Sequence, residues 1–191
     1  MATALAQLVP LAFASGLNVY ATVAVLGLCE HFHLVDLPDQ FRAFDHPAII
    51  GVAVVMYLVE FVADKIPWFD SVWDAVHTVV RPIGGALVAI TAMGHASPIA
   101  TALAALLGGS IAMTTHVTKA GTRAAVNTSP EPFSNWILSL GEDAVAIGIS
   151  YAALNHPYAA AIAAIVLLVA FVTMASFIVR WVRRRVARRR V

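Results

Sequence analysis

The chain has 191 residues, of which 60% are apolar and only 12% charged, and its mean hydropathy is +0.82. Soluble domains carry roughly 25% charged and 45–50% apolar residues, and one this apolar would expose surface it cannot hide. Composition therefore excludes a soluble domain and predicts an integral membrane protein. The single cysteine, Cys29, excludes an internal disulfide and a multi-cysteine metal cluster. Met1 to Ala14 holds no Lys or Arg. The basic start of a cleavable signal peptide is thus missing, and the first apolar stretch is expected to remain as a helix.

Six apolar segments follow in order: Ala4 to Leu28, a short one from Ala48 to Ala63, Ser71 to Met93, Ile99 to Thr118, Trp136 to Leu154, and Tyr158 to Val179. A membrane-spanning helix needs about 20 such residues. Turn signals separate them: Leu37-Pro38-Asp39, His46-Pro47, Ile66-Pro67, Ser97-Pro98, Ser129-Pro130-Glu131-Pro132 and Asn155-His156-Pro157. No strand-like alternation competes. The expected fold is all-α, an integral membrane bundle of about six transmembrane helices. Residues 1–179 form the membrane domain and residues 180–191 a basic tail.

The Lys/Arg distribution predicts the orientation. From Arg180 to Arg190 there are seven arginines in eleven residues. With that tail cytoplasmic and six spans, the N-terminus is expected to be cytoplasmic too. Lys65, Lys119 and Arg123 then fall on the inside, and the loop with Glu30, Asp36, Asp39, Arg42 and Asp45 falls outside. Trp68, Phe69, Trp73, Phe133, Trp136 and Trp181 gather at the inner interface like an aromatic belt. The placement suits the plasma (bacterial inner) membrane. An arginine run directly after a span reads as a stop-transfer anchor on anionic lipid, worth about 1 kcal/mol per charge near the surface, and not as a nucleic-acid site.

Ionisable residues inside these segments carry the chemistry, because each costs at least about 2.5–3.5 kcal/mol at the centre of a bilayer. Glu60 and Asp64 share a face of segment two. Asp70, Asp74, His77 and Arg81 form one stripe on segment three, with Arg81 about 16 Å above Asp70 at helical rise. His116, Lys119 and Arg123 close segment four, and Asn135, Ser139, Glu142 and Asp143 lie on segment five. Such stripes are tolerated only when they face one another or water, which predicts a polar cavity open to the cytoplasmic side. Pro67-Trp68-Phe69-Asp70 also aligns with Pro132-Phe133-Ser134-Asn135, pointing to a parallel internal repeat of the kind found in transporters. In segment one, Ser15, Gly16, Asn18, Tyr20 and Thr22 form a polar patch whose plain reading is close helix packing and interhelical hydrogen bonding.

Glu60, Asp64, Asp70, Asp74, Glu131, Glu142 and Asp143 make seven acids, against the four bases Lys65, Arg81, Lys119 and Arg123. Pairing every base leaves three acids to be compensated by protons or a bound cation. The leading expectation is a small transporter or channel for a divalent cation, proton-coupled, working as a homodimer and not an enzyme. Glu60, Asp64, Asp74 and Glu142 would hold the ion, with His77, His116 and Asp143 as ligands or proton carriers. Arg81 would tune the carboxylates and leave its partner when the ion arrives. A second reading is an enzyme or flippase for a phosphorylated lipid, with Lys119, Arg123 and Arg81 on the phosphate; no convincing nucleophile accompanies it. A third is a scaffold in which pairs such as Arg81 with Asp74 or Glu142, and Lys119 with Asp64, only fix helix register.

The stretches Ala14-Ser15-Gly16-Leu17-Asn18-Val19-Tyr20, Glu60-Phe61-Val62-Ala63-Asp64-Lys65-Ile66-Pro67-Trp68-Phe69-Asp70 and Pro130-Glu131-Pro132-Phe133-Ser134-Asn135 resemble an uncharacterised family of bacterial polytopic membrane proteins, a domain of unknown function. That resemblance covers nearly the whole chain and implies a membrane protein without an assigned activity. A weaker likeness is to cation/proton exchangers with a Glu-x-Gly-Asp-Lys-Thr/Ser signature. Here one extra residue separates Glu60 from Asp64-Lys65, Ala63 stands in the glycine position, and the second half of the chain holds no such copy.

Overall fold

The computed structural model describes residues 2–126 and 133–188. Six long helices make up the fold: α1 (Ala2–His31), α2 (Pro47–Ala63), α3 (Pro67–Met93), α4 (Pro98–Val126), α5 (Phe133–Asn155) and α6 (Pro157–Arg188), with a short 3-10 turn at Asp39–Asp45. Proline opens α2, α3, α4 and α6, where its missing N–H leaves no hydrogen bond unmade and its fixed φ suits a first turn. The turn signals of the sequence are therefore helix starts. The Ser129–Pro132 turn and Glu131 lie outside the described residues.

α2 to α6 run alternately between the two ends of the bundle. One end carries the α2–α3 connection with Lys65, the last turn of α4 with Arg123, and the C-terminal part of α6; it is called the basic end below. Trp68, Phe133 and Trp136 stand exposed there, as an interfacial belt requires. The opposite end carries the α3–α4 and α5–α6 connections and the acidic segment around Asp39.

α1 takes a different path. Its first turn lies at the acidic end: the Thr3 hydroxyl is 3.4 Å from the Tyr158 hydroxyl, and Ala4 lines a cavity with Met93, His95 and Ala100. Its last turn is at that same end, where His31 pairs with Asp45 at 2.8 Å and Gly27 sits against Phe44 and Ile50. Between the two, Gly16 is packed on Ala112 of α4, deep in the bundle. The chain thus descends, breaks and returns. The break is at Asn18, whose φ of −156° and ψ of 100° are extended and not helical. By length and composition five helices, or up to six when the bent pair Asp39–Asp45 and Pro47–Ala63 counts as one span, are long and apolar enough to cross a bilayer. The path of α1 takes α1 itself off that count. The expectation that both termini share the cytoplasmic side is corrected accordingly: the start of α1 and the end of α6 lie at opposite ends. α6 also runs unbroken to Arg188, past the Val179 boundary expected for its span.

The re-entrant α1 is the core. Leu8, Leu11 and Leu26, from its two halves, are all fully buried, and they share one apolar cluster with Phe41, Val88 and Ala153. Outward positions on the surrounding helices are large and apolar, such as Val55 and Leu58 on α2, Leu103 and Leu106 on α4, and Ile162 and Val166 on α6. That pattern suits contact with lipid. Small residues bring α3 and α4 together: a Cβ on Gly108 would stand 2.7 Å from the Gly85 carbonyl oxygen and against the Ala89 methyl. Gly16 fits its site for the same reason, since a Cβ there would lie 2.6 Å from the Thr115 Cβ. Gly108→Ala should therefore cost about 1–3 kcal/mol through overpacking. Gly148→Ala, whose methyl would meet nothing within 4 Å, should cost nothing. Thermal unfolding of both variants in one detergent checks this, and equal midpoints would disprove the close α3–α4 seam.

Candidate functional site

Breaking a helix in the middle of a membrane domain strands carbonyls at the end of one half and N–H groups at the start of the next. Asn18 deals with the second half itself: its Oδ1 accepts from the Ala21 N–H at 2.9 Å, an N-cap. The end of the first half is met by cations from other helices. Lys119 Nζ donates to the Leu17 carbonyl at 2.9 Å, and Arg81 Nη1 to that of Gly16 at 3.3 Å. The negative end of a half-helix dipole favours cations in this position.

Around that tip the four stripes read from the sequence meet. Arg81 Nη2 donates to Glu60 Oε1 at 2.7 Å, while Nη1 lies 3.7 Å from Asp74 Oδ1. Arg123 reaches Asp64 Oδ2 at 2.8 Å, Glu142 Oε2 at 2.6 Å and Asp70 Oδ1 at 3.1 Å. Its Nη1 also donates to Asn135 Oδ1 at 3.4 Å and to the Asp64 carbonyl at 3.0 Å, which caps the end of α2. Lys119 Nζ lies 3.5 Å from Glu60, 3.4 Å from Asp64 and 3.5 Å from Glu142. Asp143 accepts from Asn18 Nδ2 at 3.0 Å. Asp70 and Asn135, the positions paired by the sequence repeat, thus meet at one guanidinium.

The two histidines are each held between fixed hydrogen-bond partners. His77 Nδ1 faces the Trp73 carbonyl at 2.8 Å, so it carries the proton, and Nε2 accepts from the Tyr20 hydroxyl at 3.1 Å. Trp73 lies over the same ring at 4.6 Å between centroids. His116 is the opposite tautomer. Its Nε2 faces the Asp74 carbonyl and the Thr78 hydroxyl, both at 3.1 Å, and its Nδ1 accepts from Arg81 Nη1 at 2.8 Å.

All twelve residues singled out in the sequence, Glu60, Asp64, Asp70, Asp74, His77, Arg81, His116, Lys119, Arg123, Asn135, Glu142 and Asp143, fall in this one cluster, and none is more than 5% exposed. The stripes face one another as expected, but they are closed on their own ion pairs and not open to water. A cleft of about 240 Å³ between α3 and α4 touches the cluster through Asp70 and Asp74. Lys65 stays out: its ammonium donates to the Phe61 carbonyl at 2.8 Å and sits 3.1 Å from the Phe61 ring centre. Desolvation by partial burial lowers its pKa below the ordinary lysine value. Among the described residues, six carboxylates then face three permanent cations, again a surplus of three. Glu60 Oε2, Asp64 Oδ1, Asp74 Oδ1 and Asp143 Oδ2 are buried without a hydrogen-bond partner.

Among the described residues no three of His, Cys, Asp and Glu stand together as metal ligands. Glu60, Asp64, Asp74 and Glu142 converge instead on the protein's own cations. The groups not expected from sequence are the Gly16 and Leu17 carbonyls, Thr78, and Tyr20 as the partner of His77. The signal for the first two was the small and polar run at Ser15-Gly16-Leu17-Asn18, which also fits ordinary helix packing.

Residues 5–176 match the family described as Domain of unknown function (DUF4126). The chain belongs to that family. The matched region contains the whole of the cluster and nearly all of the re-entrant helix. No curated protein and no solved structure matches the chain. The comparisons thus return nothing for the likeness to cation/proton exchangers.

Removing one member of a buried ion-pair network strands the others without compensation, a loss of about 3–5 kcal/mol. Arg123→Gln should be destabilised by that amount, and adding Glu142→Gln should recover part of it. Unfolding in detergent micelles measures both. An undiminished single variant would show that the pairs around Arg123 do not hold the bundle together.

Proposed function

We propose that the protein is a small secondary transporter for an inorganic cation, divalent by charge balance and exchanged for protons. We place it in a plasma (bacterial inner) membrane with the basic end in the cytoplasm. The observation that carries this reading is the tip of α1, a broken helix that ends inside a nest of buried carboxylates. Non-helical backbone at membrane depth is tolerated only where it is enclosed by protein or lines a cavity. Discontinuous helices of this kind supply carbonyls and dipole ends to ions in transporter folds.

Charge supports the same reading. Six carboxylates against three cations among the described residues, in an apolar-walled bundle, favour compensation by mobile positive species, either protons or a metal ion. Carboxylate and carbonyl oxygens suit hard cations such as Mg²⁺, Ca²⁺ or Mn²⁺. Asp70 and Asp74 in the α3–α4 cleft put negative charge on a route from the basic end. A phosphorylated lipid is less well served, since Lys119 and Arg123 are buried among carboxylates that would repel a phosphate.

The test is flux into liposomes holding the purified protein, using Mn²⁺, Mg²⁺, Ca²⁺ and Zn²⁺ in turn, with and without a pH gradient. Uptake of at least one divalent ion is expected, accelerated by an opposing proton gradient. Glu60→Gln should reduce it by roughly tenfold or more, the effect of losing about 1.4 kcal/mol of binding. No uptake of any of the four ions would refute the proposal.

A further inference from the structure

We infer that the Lys119 ammonium occupies the place of the transported cation, as a tethered competitor that must leave before the ion can bind. This rests on the transporter reading and names the site within it. Lys119 Nζ is surrounded by the Leu17 carbonyl at 2.9 Å and by carboxylate oxygens of Glu60, Asp64 and Glu142 at 3.5, 3.4 and 3.5 Å. With the ammonium in place these carboxylates do not stand together as metal ligands. Once it leaves, one carbonyl and three carboxylates are the kinds of hard-oxygen donor a divalent ion takes, and the carboxylates must close in on it from 3.4–3.5 Å.

Two features distinguish Lys119 from its neighbours as the group that exchanges. The arginines hold the same oxygens more closely: Arg81 is 2.7 Å from Glu60 Oε1, and Arg123 is 2.8 Å from Asp64 Oδ2 and 2.6 Å from Glu142 Oε2. Both are forked, permanently charged groups, whereas an ammonium is a compact point charge on a flexible stem. Lys119 is thus the least firmly held of the three cations and the closest in shape to a bare ion. The second feature is spare ligand capacity. Glu60 and Asp64 are completely buried, yet Glu60 Oε2 and Asp64 Oδ1 have no hydrogen-bond partner. These oxygens belong to the carboxylates that hold the ammonium. The ammonium and the arginines share the other oxygen of each, Glu60 Oε1 and Asp64 Oδ2, so Oε2 and Oδ1 have no hydrogen bond to lose when a metal replaces nitrogen.

The shared pairing explains why a metal can enter without collapsing the cluster. When the ammonium leaves, Arg81 and Arg123 keep one oxygen each of Glu60, Asp64 and Glu142 in position, so the cage persists while its centre changes occupant. Six carboxylates then face two arginines and one dication, which is closer to neutrality than before.

The experiment measures Mn²⁺ binding by electron paramagnetic resonance on the full chain in nanodiscs, for wild type, Lys119→Met, Lys119→Arg and the double variant Lys119→Met/Glu60→Gln. Loss of the tethered charge should tighten Mn²⁺ binding by roughly tenfold or more, about 1.4 kcal/mol, and the double variant should lose that gain. Lys119→Arg, which adds donors to the same oxygens, should bind Mn²⁺ more weakly than wild type. If Lys119→Met folds poorly, its thermal midpoint should be restored by Mn²⁺ by a larger margin than wild type gains; no such rescue would count against the inference. Equal Mn²⁺ affinity in wild type, Lys119→Met and Lys119→Arg would overturn it, even if wild-type liposomes take up the ion. Tighter binding in Lys119→Met without wild-type uptake would uphold the site and refute the transporter.

Discussion

The contact between the broken end of α1 and the side chains of Lys119 and Arg81 is the interaction on which the rest of the molecule depends. Hydrocarbon offers nothing to an unpaired carbonyl or to an ammonium. The Gly16 and Leu17 carbonyls and these two cations satisfy each other, and neither set would be stable at this depth alone. Once the cations are fixed there, carboxylates must follow them. Glu60 and Asp64 arrive on α2, Asp70 and Asp74 on α3, Glu142 and Asp143 on α5. The helices that carry them are thereby drawn around α1.

This order of dependence separates two kinds of glue. Above the cluster, toward the acidic end, the bundle is held by packing: Leu8, Leu11, Leu26, Phe41 and Val88 fill the interior, and Gly85 and Gly108 let α3 and α4 touch backbone to backbone. Below it, toward the basic end, polar pairs take over. Buried ion pairs are poor stabilisers compared with apolar side chains of the same volume. A chain under selection for stability alone would fill that half with leucine. The twelve polar side chains there hold the helices by mutual pairing and not by volume.

Much of this was legible in the sequence. Turn signals gave the helix starts to within a few residues, since a span of apolar residues bounded by them has few alternatives in lipid. α4 and α6 nevertheless run on past their expected ends at Thr118 and Val179, to Val126 and Arg188. The convergence of the twelve polar residues was legible because intramembrane charge at helical spacing must find partners. What could not be seen was the path of α1. Its apolar stretch is as long as a span, and hydropathy records length and not direction. Asn18 in a run of small residues suits both a close-packed helix and a reversal, and only the surrounding helices decide. The side assigned to the N-terminus followed from counting spans, so it failed with α1. Lys65 was misplaced for a local reason: its stem lies along its own helix, and the Phe61 ring and carbonyl claim its ammonium before any acid can.

α2 is unlike the other helices in how it is held. Ala53, Glu60 and Ala63 are its only buried residues, and it meets the preceding 3-10 turn at a bend of 66°. With 17 residues it is about 25 Å long at helical rise, shorter than the roughly 30 Å of hydrocarbon in a typical bilayer. Its depth is therefore a compromise between the surrounding lipid, which acts along its whole apolar length, and the arginines that grip its last turn. A thicker bilayer pulls Glu60 and Asp64 against that grip, and a thinner one relaxes it, at fractions of a kcal/mol per Å of mismatch. Membrane thickness thus acts on the geometry of the carboxylates directly, as a mechanical input delivered through the one helix too short to ignore it.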